Sequence, residues 1–242
     1  MADRAALVTG ASSGIGLAIA RALGEDGHAL TVSARREGKL EDAANELRDL
    51  GLEVQSVVAQ MGDEQDVVDL VTAHRERYGR LDVLVNNAGI GIGQPMDSIQ
   101  SKHLDIQLGV NLRGLILATR ESLPMLREAG AEHGKALIVN TASIAGKTGE
   151  AWLSVYSATK AGVIAFSQAT QKEVGDTGIQ VTALAPGFVD TPMTDFVKDT
   201  VGAEKMIRPE DIAEAVRLLL RTSPNCLIPE IVFVRPGDLS SP

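Results

Sequence analysis

Short apolar runs and longer stretches of helical period take turns along the whole chain, and that alternation restricts the fold more than any other feature. The runs are Ala5 to Thr9, Ala29 to Ser33, Glu53 to Val58, Leu81 to Val85, Ala136 to Asn140, Ile179 to Ala185 and Ile231 to Val234. Between them apolar side chains recur every three or four residues: Ile15, Ala18, Ile19, Ala22 and Leu23, then Leu40, Ala43, Ala44 and Leu47, then Val67, Leu70 and Val71. Strands separated by helices pair in parallel, because each crossover returns the chain to the same end of the sheet. Strand cores that do not alternate with polar residues fit a sheet covered on both faces. The pattern therefore predicts an α/β fold with a doubly wound, seven-stranded parallel sheet. No linker, repeat or low-complexity tract divides residues 1–242, so a single domain is expected. The helical region from about Ser101 to Ala129 should be interrupted near Gly109 to Asn111. Residues 186–208 are the longest stretch of weak periodicity, beyond the carboxyl end of a strand, and predict a lid over a ligand crevice.

Charge and cysteine content remove several classes of function. Acidic residues outnumber basic ones 32 to 23, giving −9, with 3% aromatics, which argues against nucleic-acid binding. One cysteine, Cys226, cannot form an intrachain disulfide, which fits a reducing compartment. The start Met1-Ala2-Asp3-Arg4 lacks the form of a signal peptide, and no apolar run approaches the ~20 residues of a membrane span. A cytoplasmic protein without membrane or metal partners is expected.

The first strand runs into Gly10-Ala11-Ser12-Ser13-Gly14-Ile15-Gly16. Gly10 permits a tight turn, Gly14 lets backbone approach a pyrophosphate, Gly16 lets helix approach strand, and the helix start offers free N–H groups to the anion. The same residues match G-x-S-x-G, the turn that carries the nucleophile of serine hydrolases, with Ser12 as nucleophile. That alternative needs a histidine late in the chain, whereas the four present are His28, His74, His103 and His133. The second strand ends at Ser33-Ala34-Arg35-Arg36, without the acid that would bind the NAD ribose. The guanidinium fork suits phosphate, so NADP(H) is expected, with Arg35 and Arg36 on its 2′-phosphate. Tyr156 and Lys160 are spaced to share one helix face. An ammonium there should lower the phenol pKa from about 10 and make it a usable acid or base.

Together these motifs resemble the short-chain dehydrogenase/reductase family. The resemblance rests on Thr9 to Gly16, Asn86-Asn87-Ala88-Gly89, Asn111, Ser143, Tyr156-x-x-x-Lys160, and Pro186-Gly187 followed by Thr191, in order along nearly the whole chain. It implies a Rossmann-like sheet in the order 3-2-1-4-5-6-7 with NADP(H) across the switch point. It implies a reaction that moves hydride between nicotinamide and a carbonyl or secondary alcohol. Tyr156 would exchange the proton, Ser143 would donate to the same oxygen, Lys160 would tune the phenol and hold the nicotinamide ribose, and Asn111 would position a water leading to solvent. Ser12, Ser13, Ile15, Asn87, Ala88 and Gly89 would line the cofactor, and Thr191 with backbone near Val189 would hold the carboxamide. A Gln60-Met61 pair stands where the family often has an acid for the adenine. The end, Val234 to Asp238, lacks the Asp-Gly-Gly close of many 3-oxoacyl reductases and looks closer to 3-hydroxy acid and serine dehydrogenases.

Ile92, Met96, Trp152, Met193 and Phe196 fall in the segments expected to form the substrate pocket, and suggest an apolar ketone, 3-oxoacyl thioester or hydroxy acid. Arg113, Arg120 and Arg127 share a helix face, which fits a solvated or oligomer-facing stripe better than a dock for an acidic carrier protein. A homodimer or homotetramer is expected on the Asn111 and Tyr156 helices, where Ala158, Ala161, Gly162 and Ala165 allow close approach. A non-catalytic NADP(H) sensor would need the glycine loop but not Asn111, Ser143, Tyr156 and Lys160.

Overall fold

The protein is described by a computed structural model over residues 3–237, so Met1, Ala2 and Asp238 of the sequence reading lie outside the described residues. Seven strands form one sheet: β1 Ala5–Thr9, β2 Ala29–Ala34, β3 Val54–Val58, β4 Val83–Asn86, β5 Ala136–Thr141, β6 Ile179–Pro186 and β7 Glu230–Phe233. Their order is β3-β2-β1-β4-β5-β6-β7 and every neighbouring pair is parallel. The chain winds outward in one direction from β1 and in the other from β4. The crevice between their carboxyl ends is the topological switch point where such sheets bind ligands.

Helices α1 Gly14–Glu25, α2 Glu37–Asp49, α3 Glu64–Tyr78, α4 Ser101–Leu108, α5 Gly114–His133, α6 Ser154–Val174, α7 Lys198–Val201 and α8 Pro209–Arg221 fill the connections. Successive strand residues point to opposite faces, and the sheet feeds two separate cores accordingly. Ala6 and Val8 pack with Ile19, Leu23, Leu40, Leu47, Ile212 and Val216 on the α1, α2 and α8 side. Leu7 packs with Val67, Leu70, Val71, Leu126 and Val181 on the α3 and α5 side.

One expected irregularity is observed, and a second segment differs from its sequence reading. The interruption of the long helix is a π-helical segment, Gly109–Arg113, with Asn111 at its centre. Such single-turn widenings concentrate at functional sites. Gly114, just beyond it, lies so close to Met61 that an added Cβ would stand 2.9 Å from the Met61 carbonyl carbon, so only glycine fits. The segment 186–208 is less irregular than its sequence suggests. It carries a 3-10 turn at Pro192–Val197, the short α7 and another 3-10 turn at Ala203–Lys205. A bridge between Val189 and Ile207 pinches its base. Turns this short have no room for a periodic apolar face, which is why the sequence reads as loop. Among the described residues no helix is long and apolar enough to cross a membrane.

Candidate active site

The glycine loop is built by close approach. Gly10 and Gly14 hold φ of +66° and +55°, the left-handed region that glycine enters without cost. A Cβ on Gly10 would stand 2.8 Å from Ala88 Cα, and one on Gly16 would stand 2.5 Å from Asn87 Nδ2. Ser13 starts α1 without a side-chain cap, so the first N–H groups of that helix are left for an anion. Thr191, in the segment 186–208, leans over the loop, with its Cγ2 2.8 Å from where a Gly14 Cβ would be. An uncapped helix start under a cradle with no room for side chains fits a dinucleotide pyrophosphate.

Asn87 braces this cradle from the end of β4. Its Nδ2 donates to Thr9 O and Gly10 O at 3.2 Å each, and its Oδ1 accepts from Thr141 Oγ1 at 3.3 Å. Thr9 Oγ1 accepts in turn from the N–H groups of Asn87 and Ala88 at 3.0 and 3.1 Å. Asn87 therefore shapes the cleft wall and spends its carboxamide within the protein. Arg35 and Arg36 are exposed at the carboxyl end of β2, with no ion pair among the described residues. Gln60 is exposed, while Met61 is 6% exposed and packs in the α3 and α5 core. The Met61 side chain is a core residue, which leaves its backbone for any contact with the adenine.

Tyr156 and Lys160 lie in the first two turns of α6. Lys160 Nζ is 5.7 Å from the centroid of the Tyr156 ring and donates to Thr141 O at 2.7 Å. Ser143, just past β5, accepts from Ala145 N at 3.2 Å, and its hydroxyl has a long contact to Pro186 O at 3.4 Å and lies beside the Tyr156 phenol. That weak bond leaves the hydroxyl available to a better acceptor. Asn111 is occupied: Oδ1 accepts from Ile90 N and Nδ2 donates to Ile90 O, both at 2.8 Å, and Nδ2 also donates to Thr159 Oγ1 at 3.1 Å. It ties the loop after β4 to α6, with one Oδ1 lone pair unspent.

The electrostatics depart from expectation. Burial pushes the Tyr156 phenol above its usual value, with the neighbouring Ser143 hydroxyl pulling it down only in part. Burial also depresses Lys160, to about 8. The expected lowering of the tyrosine is therefore corrected. The ammonium points at Thr141 O, and desolvation disfavours both charged forms at once. A phenol that keeps its proton is an acid ready to give it.

Ile92 N–H donates to Gln107 Oε1 at 3.1 Å, and Gln94 Oε1 contacts His103 Nδ1 at 3.0 Å. These α4 side chains hold the loop that crosses Tyr156, where a Cβ on Gly91 would touch the phenol ring at 3.7 Å. Gln107 and Thr159 escaped the sequence reading because their partners lie 15 and 48 residues away, beyond any local motif. Trp152, just before α6, holds φ +63°, and is the one non-glycine among the described residues with positive φ. That conformation costs about 1–2 kcal/mol for a residue with a Cβ. None of the histidines bonds Ser12: His28 contacts Leu23 O, His74 Thr31 and Arg80, His103 Gln94, and His133 Arg80. The hydrolase alternative therefore lacks its base. Among the described residues no group of acids, histidines or cysteines could hold a metal ion. Arg113 and Arg120 both pair with Glu64, so the arginine stripe is partly neutralised.

Comparison with known proteins places this geometry. The sequence profile of the short chain dehydrogenases matches residues 4–202. An uncharacterized oxidoreductase of Staphylococcus aureus (strain USA300) is 34% identical over 236 residues, 98% of each chain. A variant of actinorhodin polyketide ketoreductase solved with NADPH superposes with a TM-score of 0.87 at 34% identity, over 96% of this chain and 97% of that one. The 3-ketoacyl-(acyl-carrier-protein) reductase of Brucella melitensis, solved with NADH, gives 0.86 at 30% identity over 96% of each. Levodione reductase also gives 0.86 at 30% identity, over 98% of each.

Proposed function

This chain belongs to the short-chain dehydrogenase/reductase family and is an NAD(P)-dependent oxidoreductase, and from that premise we propose that it uses NADP(H) to interconvert a carbonyl compound and a secondary alcohol. The observation that carries the proposal is a half-buried phenol, held protonated by its surroundings, with the Ser143 hydroxyl beside it and a buried ammonium 5.7 Å from its ring.

The cofactor supplies and accepts the hydride. Tyr156 delivers a proton to the carbonyl oxygen as negative charge develops there. Ser143 donates a hydrogen bond to the same oxygen, a contribution on the order of 3 kcal/mol for a pre-aimed donor. Lys160 holds the nicotinamide ribose and draws a proton toward the phenol from solvent. The Asn111 carboxamide fixes the loop that crosses Tyr156, and its spare lone pair is where a relay water would bind. Gly10, Ser12, Ser13, Gly14, Ile15 and Gly16 receive the pyrophosphate, Gln60 the adenine, and Pro186, Gly187, Val189 and Thr191 the carboxamide. The unpaired guanidinium of Arg35, with Arg36 beside it, receives the 2′-phosphate; the polyketide ketoreductase carries NADPH and the Brucella reductase NADH. The substrate is an apolar ketone, a 3-oxoacyl thioester or a hydroxy acid. The working form is a homodimer or homotetramer through α5 and α6, where Ala158, Ala161 and Ala165 are exposed on one face.

The test is NADPH oxidation screened against ketones, 3-oxoacyl thioesters and, in the reverse direction, hydroxy acids, with Tyr156→Phe beside the wild type. Turnover by the wild type and a drop of about 10³-fold in the variant, with NADPH affinity kept, is the expected result. A variant that turns over at the wild-type rate would remove Tyr156 from proton transfer.

A further inference from the structure

His103, Gln107 and Asn111 stand four residues apart along α4 and the π-helical segment that continues it, so they form one row on the helix surface. Ile90, Ile92 and Gln94 stand two apart on the loop after β4 and are half-buried, while Gly91 and Gly93 between them are exposed. The two rows are joined rung by rung in antiparallel sense. Asn111 holds both backbone groups of Ile90 at 2.8 Å, Gln107 Oε1 accepts from Ile92 N at 3.1 Å, and His103 Nδ1 lies 3.0 Å from Gln94 Oε1. Matched spacing makes this possible, since four helical residues rise about 6 Å and two extended residues about 6.6 Å.

Gln107 is the informative rung. It is 2% exposed, at a place where an apolar side chain would need no partners. A buried carboxamide is costly unless its polar atoms are bonded. Here Oε1 is spent on Ile92 N, and Nε2 donates to His103 O at 3.2 Å. The residue type therefore serves the loop rather than the core. The loop needs such support, because glycines at 89, 91 and 93 leave its backbone many paths. Its path bears on the chemistry, since Gly91 crosses the Tyr156 ring and a Cβ on Gly93 would stand 3.5 Å from Leu153 Cδ2 at the start of α6. Asn111 fixes one end of the loop, and Gln94 N, donating to Trp152 O at 2.8 Å, fixes the other. Gln107 pins the middle, next to the glycine that crosses the phenol.

We propose that Gln107 and His103 are positioning residues of the reaction: with Asn111 they set the register of residues 90–94 across Tyr156, and so fix the cover of the phenol and the place of the oxygen it protonates. The proposal rests on the hydride-transfer reading above and adds to it two α4 residues that act through the loop and not on the reacting atoms. Their effect falls on kcat, through the alignment of phenol and carbonyl, and leaves NADPH binding untouched.

Hydrogen exchange reads the ladder without turnover, and kinetics read its consequence. The full chain is compared as wild type, Gln107→Met, His103→Leu and His103→Asn. With NADP⁺ saturating, the Ile92 amide should exchange about tenfold faster in Gln107→Met, for the loss of its one hydrogen bond, while the amides of β4 and α6 exchange as in the wild type. In the same variant kcat with NADPH, for the ketone that the wild type turns over fastest, should fall about tenfold or more. NADPH affinity and the thermal midpoint should hold. His103→Leu should give a smaller fall, and His103→Asn, whose Nδ2 reaches the place of Nδ1, should restore most of it. The proposal is overturned if Ile92 exchange in Gln107→Met matches the wild type, if kcat holds while the loop is loosened, if the loss lies in NADPH affinity, or if His103→Asn is no better than His103→Leu. Should Gln107→Met not fold, the His103 pair decides alone. A wild type that turns over no carbonyl would sink the hydride-transfer reading, and the exchange contrast would still decide whether Gln107 holds the loop.

Discussion

Two buried lysines stand at opposite ends of the sheet and are used in opposite ways. Lys135, just before β5 at the amino end, is 9% exposed and donates to Leu219 O, Thr222 O and Thr222 Oγ1. These acceptors close the carboxyl end of α8, where backbone carbonyls lack helical partners. Lys160, at the carboxyl end, is 3% exposed and has one hydrogen bond, to Thr141 O. Burial depresses both, yet one ammonium has spent its protons on the scaffold and the other keeps N–H groups in reserve. The surroundings follow suit. At the amino end Asp82 accepts from Ala5 N, Arg80 Nε and Arg80 Nη2, and Tyr78 Oη donates to Leu30 O. At the carboxyl end stand the weakly bonded Ser143, the uncapped start of α1, the unpaired Arg35 and the strained Trp152. Among these groups the saturated ones brace the scaffold and the unsaturated ones face the crevice, although His28 Nε2 before β2 and Ser122 Oγ in α5 are also buried without a partner.

Removing each lysine gives the sharpest test of that contrast. Lys160→Met should lower carbonyl turnover by about 10³-fold or more while making the fold more stable. Its folded pKa of about 8 lies below the unfolded value, so the buried charge costs about 3 kcal/mol at neutral pH. Loss of the bond to Thr141 O returns part of that, leaving a gain of about 1–2 kcal/mol by urea unfolding. The wild type should close the gap as pH rises from 8 toward the unfolded pKa, where the folded state has already shed the proton. Lys135→Met should do the reverse, costing about 2–3 kcal/mol for stranded carbonyls and leaving turnover at 25 °C unchanged. A Lys160→Met protein less stable than wild type, or a Lys135→Met protein that is slow but fully folded, would break the division.

Much of the carboxyl end was legible because its chemistry is written in short local spacings. The glycines, the Asn86 to Gly89 turn and the Tyr156–Lys160 pair each span less than two helical turns, and strand alternation fixed where they would meet. The expected strand order 3-2-1-4-5-6-7 is the observed one. Two kinds of information were missing. One is long-range pairing: nothing local marks Gln107 as holder of Ile92, or Thr159 as partner of Asn111. The other is the sign of competing electrostatics. The spacing of Tyr156 and Lys160 predicts a lowered phenol pKa, but burial acts on both groups and depends on atoms the motif does not contain. The burial of the Met61 side chain beside the exposed Gln60 was likewise not legible, since it depends on the distant α5.

The unpaired arginine gives a smaller, directional effect. Arg35→Ala should weaken NADPH binding at least tenfold and NADH binding by less than a factor of two, measured by titration of cofactor fluorescence. A charge-assisted guanidinium–phosphate bond is worth about 1.5–3 kcal/mol, and NADH has no phosphate there to lose. Equal losses would mean that Arg35 supports the adenine side of the cleft and that phosphate recognition lies elsewhere.

The smallest effect concerns a saturated histidine of the amino end. His74 Nδ1 lies 2.8 Å from Thr31 Oγ1 and Nε2 lies 2.9 Å from Arg80 O. A carbonyl only accepts, so Nε2 carries the proton, and in the neutral ring Nδ1 competes with Gln55 Oε1, 3.2 Å away, for the Thr31 hydroxyl proton. A second proton on Nδ1 would turn that acceptor into a donor inside the core, and burial holds the pKa down at about 4. The unfolded imidazole titrates near 6.5. As pH falls below that value the unfolded chain takes up a proton that the folded chain refuses, so stability drops until the folded pKa is reached. Between pH 7 and 5.5 the loss should be about 1 kcal/mol from this residue, read from urea midpoints. His74→Gln keeps a donor and an acceptor but cannot titrate, so it should flatten the slope. Some slope should survive, because His28 is buried and depressed as well. An unchanged slope in His74→Gln would show that the imidazole already carries its second proton in the folded state, and the amino end would then hold an unspent charge like its opposite.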